Sequence, residues 1–227
     1  MSSSISRLQL TALFSVAMPV WGVLLILDGV GVSASWAKHL STVVGVTLVL
    51  LTVFDRWLWR WSWLQGWFVK KPYIGGTWRV SLKSDWRDPK TGLAIPPIDG
   101  FLSVRQTYSG LSLRLMTKES ASESLAADLV GAPDATYRAA SVYRNDPGVG
   151  VRDRSPIHYG ALLLDVQADD PVTLAGQYWT DRSTRGELRS AERTTRVVGS
   201  YQAGLQELGN ELDEKMDQLT ALDTTSV

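Results

Sequence analysis

Between Arg7 and Asp28 the chain runs for twenty residues without a charge, LQLTALFSVAMPVWGVLLIL. As a helix, at about 1.5 Å per residue, that stretch reaches roughly 30 Å, the thickness of a bilayer's hydrocarbon core. Pro19 would kink a soluble helix, but a membrane span tolerates it because neighbouring helices and hydroxyls satisfy the freed carbonyl. A second uncharged run, LSTVVGVTLVLLTVF from Leu40 to Phe54, is shorter, and five tryptophans follow it within RWLWRWSWLQGWF (Trp57, Trp59, Trp61, Trp63 and Trp67). Indole is apolar over most of its surface and carries one N–H, which suits a membrane rim. The pattern predicts a helical hairpin whose second arm extends from Leu40 to about Trp61, with the indoles forming a belt around its last turns. A cleaved signal peptide fits less well, because the first apolar core is too long and a second span follows at once. A β-strand over the tryptophans lacks the turn signal that would have to precede it.

Basic residues set the expected orientation. The connecting loop carries Lys38 against Asp28, whereas the outer flanks carry Arg7 on one side and Arg56, Arg60, Lys70, Lys71 and Arg79 on the other. The positive-inside rule then places both termini in the cytoplasm of a two-span, inner-membrane protein. The expected organisation is a membrane segment over 1–70, a cytosolic domain over 71–196 and an acidic tail over 197–227.

The texture of the middle segment is β. GTWRVSLKS, GFLSVRQTY, GLSLRLMT, TYRAASVYR, HYGALLLDVQ, VTLAGQYWT and GELRSAERT read as strands, and SESLAADLV makes a weak eighth. Ser109-Gly110, Asp169-Asp170-Pro171 and Asp181 to Gly186 supply hairpin-length connections. Sequential strands without intervening helices predict an up-and-down, lipocalin-like barrel of eight strands, large enough to hold one small ligand, in preference to a sandwich. Alternation points Trp78, Val80 and Leu82 inward, with Leu111, Leu113 and Leu115, and with Leu174, Gly176, Tyr178 and Thr180. Gly75-Gly76 followed by Trp78 reads as a plugged floor. GLQELGNELDEKMDQLTAL, near the end, is an amphipathic helix with Leu205, Leu208, Leu212, Met216 and Leu219 on one stripe, suited to packing on the barrel wall or to self-association.

Catalytic constellations are nearly absent. The two histidines are His39 and His158, there is no cysteine, and nucleotide-binding loops and nucleophile elbows are missing. The reading is therefore of a non-enzyme with no cofactor or metal. With 23 basic and 23 acidic residues the chain has no electrostatic footprint for binding DNA or RNA polymers. What remains is arginine and tyrosine. Guanidinium forks match phosphate and tyrosine offers a stacking face. A pocket is expected around Tyr178, Thr180, Tyr108 and Tyr143, with Arg182 and Arg105 at its rim. The ligand class that uses both chemistries is an anionic aromatic molecule such as a nucleotide. A membrane-tethered lipocalin-like carrier of an apolar ligand is the alternative. A carrier should present few convergent cations at the mouth, and a nucleotide receptor at least two.

The order of features, two spans, a tryptophan-rich junction, YIGGTWRVSLKSDW and the late hairpin LAGQYWTDRSTRGEL, resembles the two-transmembrane, β-strand-rich effectors of bacterial CBASS antiphage systems. The resemblance covers Leu8 to Thr195. It implies a minimal β-barrel that senses a cyclic dinucleotide, self-association in the inner membrane on binding, and membrane disruption that kills the infected cell. The acidic tail after Val198 departs from it.

Overall fold

The structure, a computed structural model, describes residues 15–23, 26, 40–88, 91–132, 136–167 and 172–208. The chain divides into two compact units between Val69 and Lys70.

In the first unit, residues 15–23 are helical, and helix α1 spans Leu40–Arg56. Its Val44, Val46, Leu48, Val49 and Leu50 side chains are exposed. Among the described residues no helix is long and apolar enough to cross a membrane. Half of the expected first span, Leu8 to Leu27, lies outside the described residues, and the described half, 15–23 and 26, is helical. The second arm does not continue as a helix to Trp61. α1 ends at Arg56, Leu58–Arg60 form one 3-10 turn, and Trp61 is extended at φ −65°, ψ 133°. The chain then loops so that Gln65 and Val69 form a bridge, with Gly66 at φ +91° supplying the left-handed bend. The turn tucks one indole inside. Trp59 is buried while Trp57, Trp61, Trp63 and Trp67 are exposed, and Gln65 donates to the Trp59 carbonyl at 2.5 Å. The four exposed indoles therefore sit on a looped segment instead of ringing a helix.

The second unit is a closed barrel of eight antiparallel strands in sequence order. These are β1 (Gly76–Ser84), β2 (Ile98–Gln106), β3 (Leu111–Thr117), β4 (Ser120–Gly131), β5 (Tyr137–Pro147), β6 (His158–Gln167), β7 (Thr173–Thr180) and β8 (Arg185–Thr194). Closure removes every exposed sheet edge that an open meander would leave. The weak eighth run becomes β4, the longest strand at 12 residues. A bulge between Ser124 and Ala126 breaks its pairing with β5 and leaves Leu125 63% exposed, which is why its alternation reads poorly.

One end of the barrel is plugged. Trp78 is buried and its indole N–H donates to the Ile74 carbonyl at 2.9 Å. The Arg193 guanidinium lies 4.8 Å from the Trp78 ring centroid and 5.5 Å from that of Tyr73 and donates to the Gly75 carbonyl at 2.6 Å. Arg193 faces inward because the β1–β8 register slips between Trp78 and Val80, so that Ser190 pairs with Val80 and Arg193 with Trp78. Gly76, at φ +126°, has no room for a side chain, since a Cβ would strike the Thr194 carbonyl.

Outside the wall, Thr77 and Ser103 sit opposite each other on β1 and β2 and hold the chain that leaves β8. Thr77 Oγ1 donates to the Arg196 carbonyl at 2.7 Å and accepts from the Val198 N–H at 3.0 Å. Ser103 donates to the Val198 carbonyl at 2.7 Å. Helical residues 201–208 follow, and Leu208 is buried with Phe101 and Met116 on the wall. Leu212, Met216 and Leu219 of the expected stripe lie outside the described residues.

Candidate functional site

β2 runs from Ile98, paired with Leu82, to Val104, paired with Gly76. The floor thus lies at the Gly76 end and the mouth at the Leu82 and Ile98 end. A cavity of about 520 Å³ opens there, within the range of small-molecule sites. Its lower part is lined by leucines that alternation turns inward, Leu102, Leu113, Leu162 and Leu188. Above them stand Tyr143 and Tyr178, and at the mouth Lys118, Arg154 and Arg182.

Each tyrosine is set by a glycine on the neighbouring strand. Tyr143 pairs across to Gly160, and a Cβ on Gly160 would lie 2.5 Å from the tyrosine Cζ and hydroxyl. Tyr178 pairs with Gly186, and a Cβ there would meet the Tyr178 hydroxyl at the same 2.5 Å. The bare glycine lets the ring fold across the next strand. Tyr178 and Ser84 line the same side of the cavity. Burial pushes the Tyr143 hydroxyl up to about 12, with neighbouring Tyr178 adding to the shift and Arg182 opposing it. Burial also raises Tyr178. Both phenols are therefore neutral at physiological pH and offer hydrogen bonds and π-faces without charge.

The mouth is built by the hairpin turns. Arg182 stands in the β7–β8 turn and lies 3.4 Å from the Ser155 hydroxyl, while Thr180 and Thr184 hydroxyls close the same turn at 2.6 Å. Arg154, in the β5–β6 connection, pairs with Glu119 of the β3–β4 turn at 2.6 Å. Trp86, Pro96 and Pro97, from the β1–β2 connection, cover one side.

Of the residues expected at a pocket, the structure brings together Tyr143, Tyr178, Thr180 and Arg182. It separates Arg105 and Tyr108 from them. On β2 the inward positions are Leu102 and Val104, so Arg105, one residue on, points outward into a separate groove with Ser112 and Val197. Tyr108 lies beyond the floor end of β2, where its carbonyl accepts from Lys71 Nζ at 2.9 Å. Sequence reading overlooked Lys118 and Arg154, which sit in turns, and a polar wall formed by Ser122, Ser141, Asn145 and His158. Parity would have found three of these, because Ser141 and Asn145 are each two residues from Tyr143 and His158 is two from Gly160. Among the described residues no group of three or more His, Asp or Glu could hold a metal ion.

The His158 imidazole pKa lies below its ordinary value. Burial disfavours the cation and Arg182 adds to that, partly offset by the hydrogen bond to the Pro156 carbonyl.

Comparison with known proteins joins this geometry to a family. Residues 69–192 match the family described as Cap15, cyclic dinucleotide receptor domain. The chain is similar to CD-NTase-associated protein 15 of Staphylococcus schleiferi, with 25% identity over 157 residues, covering 68% of this chain and 79% of the relative. It is also similar to the protein of that name from Yersinia aleksiciae, with 30% identity over 125 residues, 55% of this chain and 56% of the relative. The matched stretch contains the glycine bend, Trp78 of the plugged floor, both tyrosines and the cationic mouth, and the chain belongs to the Cap15 cyclic dinucleotide receptor domain family.

Proposed function

We propose that the protein is the effector of a CBASS antiphage system, in which the barrel binds a cyclic dinucleotide and the N-terminal segments act on the inner membrane. The observation that carries the receptor half is the layering of the cavity, with Lys118, Arg154 and Arg182 at the mouth above Tyr143 and Tyr178. Guanidinium and ammonium groups suit the phosphates of a cyclic dinucleotide, and the tyrosines suit its bases. The leucine-lined lower cavity would also suit a tethered carrier of an apolar ligand, but a carrier gains nothing from Lys118 and Arg182 at its entrance beside the Arg154–Glu119 pair.

For the output, ligand binding drives self-association, the gathered N-terminal segments disrupt the bilayer, and the infected cell dies. The exposed valines and leucines of α1 and the four exposed tryptophans support membrane contact. The segments insert as a two-span hairpin with both termini cytoplasmic.

Full-length protein in nanodiscs, titrated calorimetrically with cyclic dinucleotides, tests the receptor reading. Arg182→Ala and Tyr178→Ala are each expected to weaken binding by about 1–3 kcal/mol, the range for losing a charge-assisted hydrogen bond or a stacking platform. Unchanged affinity in both, with binding intact in the parent, would move the site elsewhere.

A further inference from the structure

Ser122, Asn145 and His158 are direct cross-strand partners on β4, β5 and β6. All three line the cavity just inside the mouth, at 8%, 6% and 6% exposure. Three neutral polar side chains abreast on the inner wall of an otherwise leucine-rich cavity are costly unless they have partners. Part of that demand is met within the wall, in a way that fixes what is left over. Ser122 Oγ donates to Asn145 Oδ1 at 2.8 Å, so the carboxamide oxygen is engaged within the wall, and the NH2 of this cavity-lining residue is the donor left for a ligand. His158 Nδ1 lies 2.9 Å from the Pro156 carbonyl. A carbonyl can only accept, so Nδ1 carries the proton and the neutral ring keeps Nε2 as an acceptor. The wall thus offers a donor beside an acceptor.

Tyr143 supplies the third element. It is the next inward residue below Asn145 on β5, and its ring is folded over Gly160, so its face follows the wall. A planar ring stacked on it carries its edge toward Asn145, roughly 7 Å along the strand. We infer that Asn145 and His158, braced by Ser122 and with Tyr143 as platform, read the hydrogen-bonding edge of one nucleobase of the ligand. This rests on the receptor reading above and deepens it. Across the cavity the lower level is lined by Leu82, Leu102, Leu113 and Leu188, and the Ser84, Thr180 and Thr184 hydroxyls stand nearer the mouth. Among the described residues lining the cavity, the carboxamide and the imidazole both lie on the β5–β6 wall, so the barrel reads a two-base ligand asymmetrically, one base by its paired donor and acceptor and the other through stacking, single hydroxyls and the shared phosphates.

The test uses full-length protein in nanodiscs and six 3′,3′-linked cyclic dinucleotides, the three homodimers and three mixed dimers of adenosine, guanosine and uridine. The three ligands that contain the read base are expected to bind within a few-fold of one another. The three that lack it should bind on the order of tenfold or more weakly, the discrimination that edge contacts supply. Asn145→Leu should bring the first group down to the second and leave the second unchanged. His158→Gln, which keeps an acceptor, should preserve the ranking, while His158→Leu should abolish it. Circular dichroism checks that each variant folds, and should Asn145→Leu not fold, the two His158 variants decide. An equal loss for all six ligands in Asn145→Leu, or discrimination that demands a particular base at both positions, would overturn the edge reading and leave the receptor standing. If none of the six binds the parent, the receptor reading falls and this one with it.

Discussion

His158 ties the cavity to pH. In the unfolded chain its imidazole takes a proton near the ordinary value of 6.5, whereas burial and Arg182 make it a poorer base in the folded barrel. The unfolded state then binds more protons as pH drops, so the stability contributed by the neutral ring is full above pH 6.5 and is lost as pH falls through the folded pKa. The melting temperature is expected to fall between pH 7 and pH 5, and His158→Gln should flatten that slope, as scanning calorimetry of parent and variant would show. Gly160 makes a second point at this scale. A methyl group there would meet the Tyr143 ring and the Trp179 carbonyl, the latter at 2.6 Å. Gly160→Ala should displace the ring, weaken cyclic dinucleotide binding and cost about 1–3 kcal/mol of stability, the usual range for overpacking. Equal melting temperature and affinity in parent and variant would show that the ring does not depend on the bare glycine.

At the scale of elements, period-two alternation carried most of the fold. It identified the strands and aimed Trp78, Val80 and Leu82 correctly because an antiparallel barrel has one wet and one dry face. Where a bulge adds a residue, parity fails. That failure obscured β4 around Leu125 and concealed Arg193, whose inward turn depends on a register slip that no local pattern announces. Arg105 and Tyr108 were misplaced for a related reason: sharing a strand with an inward residue fixes neither face nor end. The tryptophan segment fooled a helical reading because nothing in its composition says that Trp59 alone will be buried. Thr77 offers a test of how elements are joined. It is fully buried and serves the chain at Arg196 and Val198 as both donor and acceptor. Thr77→Val leaves those backbone groups without their partner and should cost about 1–3 kcal/mol. Limited proteolysis should then cut between residues 195 and 208 faster than in the parent.

For the whole molecule, the proposed membrane output makes three expectations. Reporters fused before Ser2 and after Val227 should both be active in the cytoplasm and inactive in the periplasm; periplasmic activity at Val227 would remove the hairpin. Full-length protein in dye-loaded liposomes should leak only with its cyclic dinucleotide, since a ligand shifts assembly only by binding the assembled state more tightly. Gly45 of α1 has open space around its would-be Cβ, so Gly45→Leu leaves the fold undisturbed while obstructing close helix approach. It should reduce leakage at unchanged nucleotide affinity. Leakage that is equal with and without nucleotide would rule out the switch.

An even number of up-and-down strands has one more effect. The chain enters the barrel at Gly76 and leaves it at Thr194, and these ends meet at the plugged floor, while the connections at the other rim hold Trp86, Lys118, Arg154 and Arg182. The points where the chain enters and leaves the barrel and the mouth of the cavity therefore occupy opposite rims. Insertion or substitution in the connections at the mouth can reshape the cavity entrance without touching the floor residues through which the barrel joins the rest of the chain.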